Sequence, residues 1–289
     1  MSKSHFSNNN CFAAVSIAIA QEKALQPTKS GLFEVGGFKL YLTCYENDKP
    51  TLIIEQGFGR SGSDGVWLGN VKQLYSDFSI CLYDRAGLGK SEKGPVPFTV
   101  NDMATRLYTL LHNANVKPPY YFAGGSYASY IITAFNNQYA NKVKGAVFID
   151  PPPFGYFYTM ATRWPNNFKT DDENLARYYH FEQSVRDPMF KKVPENVDHI
   201  VSYQSLVTSG CFANKPIIVL RAKASGERYD PPFVPDDIAL KMDALYAGAE
   251  HDFLGLSSRS AIVYSTSNKH HLHIADADLV VKSIKQLLE

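Results

Sequence analysis

Short stretches of alternating or continuous apolar residues punctuate the chain, and between them the apolar period lengthens to that of a helix. Leu32 to Val35 and Phe38 to Cys44 alternate on either side of Gly36-Gly37, which predicts a hairpin. Five runs are almost continuously apolar: Thr51 to Glu55, Phe78 to Tyr83, Tyr120 to Ala123, Gly145 to Ile149 and Pro216 to Leu220. That is the pattern of strands covered on both faces. A last strand is expected at Ala261 to Tyr264.

Helical spacing fills the intervals. One helix is expected around Trp67 to Tyr75 and another from about Asn101 to Ala114, with Met103, Leu107, Leu110 and Leu111 on its apolar face. Thr99 with Asp102 three residues on is the start signal for that second helix. Further helices are read after Ser126, near Ile238 to Tyr246, and over Leu279 to Leu288, the last capped by Asp276. Strand and helix alternate long enough to imply an α/β fold, a mostly parallel sheet with helices on both faces.

From Pro151 to about Asn214 the alternation lapses. The stretch begins with Phe154, Tyr156, Phe157 and Tyr158 among prolines and then becomes amphipathic and charged. An insertion of this size is expected to be a helical cap rather than a structureless loop. The organisation read from the chain is therefore a core of residues 21–150 and 215–289 with a cap at 151–214.

Composition narrows the picture modestly. The 289 residues are 45% apolar and 20% charged with a net charge of +1, which gives no electrostatic case for nucleic acid or an acidic membrane surface. No apolar run reaches the roughly 18 residues of a membrane span. Residues 1–20 carry Lys3, then an apolar run from Cys11 ending in Ala18-Ile19-Ala20, the pattern of a cleavable secretory leader. On that pattern the protein is expected to be secreted or periplasmic, and otherwise cytoplasmic. The four cysteines (Cys11, Cys44, Cys81, Cys211) make neither a C-x-x-C nor a zinc pattern, and Cys44 and Cys81 read as buried thiols within strands.

The chemistry concentrates at Gly124-Gly125-Ser126-Tyr127-Ala128, where a strand stops and a helix begins at once. A serine at such a bend is exposed as a nucleophile, and the bend needs small residues two positions before and after it, here Gly124 and Ala128. Serine needs a base, an acid to orient that base, and donors for the oxyanion. His270, His271 and His273 cluster just before the last helix, and loops at the carboxyl ends of parallel strands converge on one edge.

With Glu55-Gln56-Gly57-Phe58-Gly59, Asp84-Arg85-Ala86-Gly87-Leu88-Gly89-Lys90-Ser91, Gly124 to Ala128 and His270 to Val280, the chain resembles the α/β-hydrolase superfamily over nearly all of residues 30–289. The resemblance implies an eight-stranded sheet with a cap, and a metal-free, cofactor-free serine hydrolase acting on a small-molecule ester. It puts the base at His270, with Leu272 and Ile274 in apolar places, and the oxyanion donors at the Phe58 and Tyr127 amides. The acid stays open. Family members usually carry it after the penultimate strand, where Leu220 to Ser225 offers no carboxylate; Asp150, Asp230 and Glu227 are the candidates, with Asp150 preferred. Asp84 and Arg85 are expected to form an ion pair below the site.

Two other readings remain. Gly57 to Gly62 is formally G-x-G-x-x-G after a strand, with Asp84 where a ribose-binding acid would lie, which would suggest an NAD-dependent oxidoreductase. The missing acid, and an elbow with Ala128 where the family pattern has glycine and Gly125 where histidine is common, also fit a hydrolase-fold binding protein. The cap aromatics suggest an apolar substrate.

Overall fold

The computed structural model describes residues 25–190, 193–208, 212–223 and 234–289. The leader-like stretch, Cys11, Cys211, Glu227 and Asp230 lie outside the described residues. Eight strands form one sheet: β1 (Lys29–Glu34), β2 (Lys39–Tyr45), β3 (Thr51–Glu55), β4 (Ser79–Tyr83), β5 (Tyr120–Gly125), β6 (Val143–Ile149), β7 (Pro216–Arg221) and β8 (Arg259–Tyr264). Their spatial order is β1-β2-β4-β3-β5-β6-β7-β8. β1 and β2 form the expected antiparallel hairpin, β2 runs antiparallel to β4, and every pair from β4 to β8 is parallel.

The helices are α1 (Leu68–Leu74), α2 (Val100–Asn113), α3 (Ala128–Gln138), α4 (Tyr156–Thr159), α5 (Glu173–Gln183), α6 (His199–Val207), α7 (Asp236–Leu254), α8 (Leu272–Ala275) and α9 (Ala277–Lys285). Successive strand residues point to opposite faces, and two apolar cores result. Ile53, Phe122, Ala146 and Phe148 pack with Leu107 and Leu110 of α2 and Ile131 and Phe135 of α3. Leu52, Ile54, Ala123 and Val147 pack on the other face with Val71 of α1 and Val280 and Ile284 of α9. Thr99 and Asp102 cap α2 reciprocally, as their spacing predicts.

Between β6 and β7 the chain makes α4, α5 and α6. This insertion is stitched to the core, since Asp198 N–H donates to the Phe98 carbonyl at 2.9 Å just before α2. It also has a small core of its own around Trp164, packed with Ile238 and Met242 of α7.

Four expectations need correcting. Cys44 and Cys81 are a disulfide rather than two thiols. They are directly paired in the β2–β4 register, with Cα atoms 4.1 Å apart and side chains on the same face. Asp276 stands at the start of α9 without capping it, because its carboxylate accepts from Ser265 Oγ at 2.5 Å. Asp84 and Arg85 do not pair with each other. Asp84 accepts from Ser63 N–H, Ser63 Oγ and Lys90 N–H, whereas Arg85 pairs with Glu55 and Glu195. Ile274 is 61% exposed, so only Leu272 of the two apolar positions is packed.

Candidate active site

The carboxyl edge of the parallel strands carries the chemistry. β5 ends on Gly125, Ser126 follows with φ 56°, and α3 starts two residues later. A positive φ is strained for a residue with a Cβ, and here the geometry is held because Ser126 N–H donates to the Ile149 carbonyl at 2.9 Å. Gly124 cannot carry a side chain. An added Cβ would collide with Ala128 Cβ and lie 2.7 Å from the Glu55 carbonyl oxygen. The fully buried Ala128 therefore fits the turn only because Gly124 has left it room.

Asp150 follows β6 and also has a positive φ, 42°. It is fully buried, and its N–H donates to the Leu220 carbonyl at 2.7 Å. One carboxylate oxygen accepts from Ala222 N–H at 3.1 Å, and the other meets His270 Nδ1 at 2.7 Å. Arg221 Nε lies 3.8 Å from the first oxygen. The strand that resemblance would have given the acid ends instead on a buried arginine, facing a carboxylate supplied by its neighbour β6. Arg221 went unrecognised in the sequence. The signal was its place, since a charged residue closing an apolar strand needs a partner when buried.

Ser126 and His270 line one cavity of about 230 Å³, together with Gln56, Gly57, Trp67 and His273. Of the three clustered histidines, His270 meets the Asp150 carboxylate through Nδ1 at 2.7 Å. His273 stacks on Trp67 with centroids 4.6 Å apart, and burial pushes it down to about 4, so it is neutral at pH 7. His271 is exposed.

The loop after β3 is held from behind. Arg85 donates to the Gln56 carbonyl at 2.8 Å and to the Gly57 carbonyl at 2.7 Å, and pairs bidentately with Glu195 of the insertion. Glu195 in turn accepts from Gly59 N–H at 2.6 Å. Because a trans peptide sets its N–H opposite its carbonyl, the Phe58 N–H points away from the guanidinium. The Tyr127 N–H lies at the start of α3, among the N–H groups that a helix leaves unpaired. Phe58 and Tyr127 themselves are adjacent, with ring centroids 5.4 Å apart.

A family model described as the alpha/beta hydrolase fold matches residues 50–205, more than half of the chain. The chain belongs to the α/β-hydrolase family. The uncharacterized protein YqjL of Bacillus subtilis is 33% identical over 230 residues, 80% of either chain. A probable transporter, efuK of Hormonema carpetanum, is 31% identical over 91% of this chain, which spans 43% of that protein's length. Among solved structures, a thermophilic esterase from Thermogutta terrifontis superposes with a TM-score of 0.55 at 15% identity, covering 90% of this chain and 98% of its own. That likeness concerns the fold alone.

The dinucleotide reading finds no support at Asp84. Its carboxylate is fully buried and occupied by loop donors, so no ribose can reach it. Phe154, Tyr156, Phe157 and Tyr158 do not line the Ser126 cavity; Phe157 packs against Tyr127 and Tyr130, and Phe154 against Tyr130 and Phe253.

Proposed function

We propose that this α/β-hydrolase cleaves an ester or related acyl bond through Ser126, His270 and Asp150. The observation that carries the reading is the 2.7 Å contact between His270 Nδ1 and the buried Asp150 carboxylate, in a cavity that also holds Ser126 on a strained elbow. A neutral His270 that donates Nδ1–H to Asp150 keeps Nε2 free as an acceptor. Nε2 takes the Ser126 proton as Oγ attacks the acyl carbon. The Phe58 and Tyr127 amides receive the negative charge on the carbonyl oxygen. His270 then protonates the leaving alcohol, and water, deprotonated by the same nitrogen, releases the acyl group. Asp150 stabilises the imidazolium formed at each stage.

The test is hydrolysis of p-nitrophenyl acetate and butyrate by the wild-type protein and Ser126→Ala. Turnover is expected to fall at least about 1,000-fold in the variant. Equal rates in the two proteins would leave a hydrolase-fold binding protein as the better reading. The Cys44–Cys81 disulfide supports an oxidising compartment, in keeping with the leader-like residues 1–20. Protein from the native host should then begin near Gln21, and an intact Met1 would count against export.

A further inference from the structure

Apart from the Ser126 cavity, the fold holds a larger one of about 640 Å³ between α3, α6, α7 and the start of the insertion. The two cavities share no lining residue, and none of Ser126, His270 and Asp150 borders the larger one. Its volume lies within the ~300–1,000 Å³ of pockets that hold small molecules. α7 divides its residues between the core and this space. Ile238, Met242, Tyr246 and Phe253 are buried, whereas Leu245, Gly248 and Asp252, at helical spacing on another face, border the cavity. Glycine is a poor helix former, yet Gly248 stands inside this 19-residue helix. An added Cβ there would meet no atom within 4 Å, so packing within the protein does not require the glycine. Its missing side chain keeps the cavity open.

Charge narrows what belongs there. Two helices end at this cavity: Leu206 and Val207 close α6, and Asp252 with Gly255 closes α7. A helix C-terminus carries partial negative charge, which a lysine or arginine in the last turn offsets where one is present. α6 has no basic residue in its last turn, and α7 has only His251. Asp252 adds a full negative charge. It is exposed, so its carboxylate is reachable, and it has no ion pair or hydrogen bond among the described residues. No lysine or arginine lines the cavity. The remaining wall is largely apolar, with Leu206, Leu245 and the rings of Phe154 and Tyr203, and aromatic rings themselves favour cations. An anion would meet like charge here, and a purely apolar ligand would leave the carboxylate unused.

We propose that this second cavity binds a small organic cation, an ammonium group carried on an apolar body. The body lies along Phe154, Leu206 and Leu245, and the ammonium group meets Asp252 and the two helix ends. The site is separate from the nucleophile and does not depend on the hydrolase reading.

Isothermal titration calorimetry with phenylbutylamine, phenylbutanol and phenylbutyrate tests it, since the three share a body and differ in charge. The amine is expected to bind the wild-type protein about fivefold tighter than the alcohol, the upper size of an exposed ion pair, and the carboxylate weakest. Asp252→Asn should remove the preference for the amine while leaving the alcohol's affinity unchanged. Gly248→Leu should abolish binding of both by filling the cavity, and Ala244→Leu, one turn earlier on the same wall, should do so independently. Leucine favours a helix more than glycine does, so Gly248→Leu should unfold on heating no earlier than the wild-type protein. Circular dichroism checks this for both leucine variants and separates blocking from misfolding. Equal affinity for the three probes, a preference unchanged in Asp252→Asn, or amine binding that survives both folded leucine variants would overturn the site. Failure of the amine to bind the wild-type protein saturably would do so too.

Discussion

Ser126 stands between two walls built on opposite principles. On one side Phe58, Tyr127, Phe157, Phe181 and His199 pack ring against ring, with centroids from 4.8 Å for Phe157–His199 to 5.9 Å for Phe58–Phe181. On the other, Gln56, His270 and His273 line a cavity together with Ser126. The aromatic wall is filled with itself. Its rings pack against one another by burial and edge contacts. The polar wall borders about 230 Å³ of open space beside the nucleophile. An aromatic-rich insertion near a nucleophile therefore signals packing here, while the fewer polar residues mark where chemistry can happen.

The comparison breaks if the wrong wall controls turnover. Asp150→Asn on the polar side should lower kcat/KM on a short ester by about 1,000- to 10,000-fold, because the amide cannot hold His270 in its working tautomer. Steady-state kinetics with the fold checked by circular dichroism decides this, and near-wild-type activity would remove Asp150 from its role. Phe157→Ala on the aromatic side should act on stability instead. A loss of about 3–5 kcal/mol is expected in urea unfolding, from the deleted ring and the cavity left behind.

The aromatic wall also makes a pH prediction. Burial among the rings pushes His199 down to about 4, and the Asp198 carboxylate only partly opposes this. The unfolded chain takes up the His199 proton near pH 6.5 and the folded protein only near 4, so stability is full above about 6.5 and declines as pH falls toward 4. His199 alone should contribute roughly 3 kcal/mol to that decline. His199→Gln should flatten the slope in unfolding curves taken between those pH values. An unchanged slope would mean His199 is not the group responsible.

The smallest effect concerns the clamp behind the Gly57–Phe58 peptide. Glu195→Gln weakens both the Arg85 pair and the Gly59 tie, which loosens the loop that aims the Phe58 amide. A fall of about tenfold in kcat with little change in KM is expected, since the amide acts on charge that develops only in the transition state. An effect confined to KM would assign Glu195 to binding instead.

What was legible in the chain was local. The elbow could be read because its turn chemistry lies within five residues, Gly124 to Ala128, and the capping box because it spans four. Strand positions followed from apolar runs. Pairings across distance were not legible. The Cys44–Cys81 bond depends on β2 lying beside β4 while β3, which comes between them in sequence, moves to the far side of β4. Asp84, the sequence neighbour of Arg85, is not its partner; the paired carboxylates are Glu55, 30 residues back, and Glu195 of the insertion, 110 residues on. Asp150 could be named as a candidate from its place at a strand end. That place was enough to prefer it to Asp230, but its contact with a histidine 120 residues later is visible only in the fold.

The central claim is that Ser126 is an activated nucleophile oriented by the His270–Asp150 pair, and fluorophosphonate labelling read by peptide mass spectrometry tests it most directly. The account predicts one adduct on the peptide containing Ser126, absent in Ser126→Ala and formed far more slowly in Asp150→Asn. Labelling at another residue, or equal labelling of wild-type and Ser126→Ala protein, would contradict it.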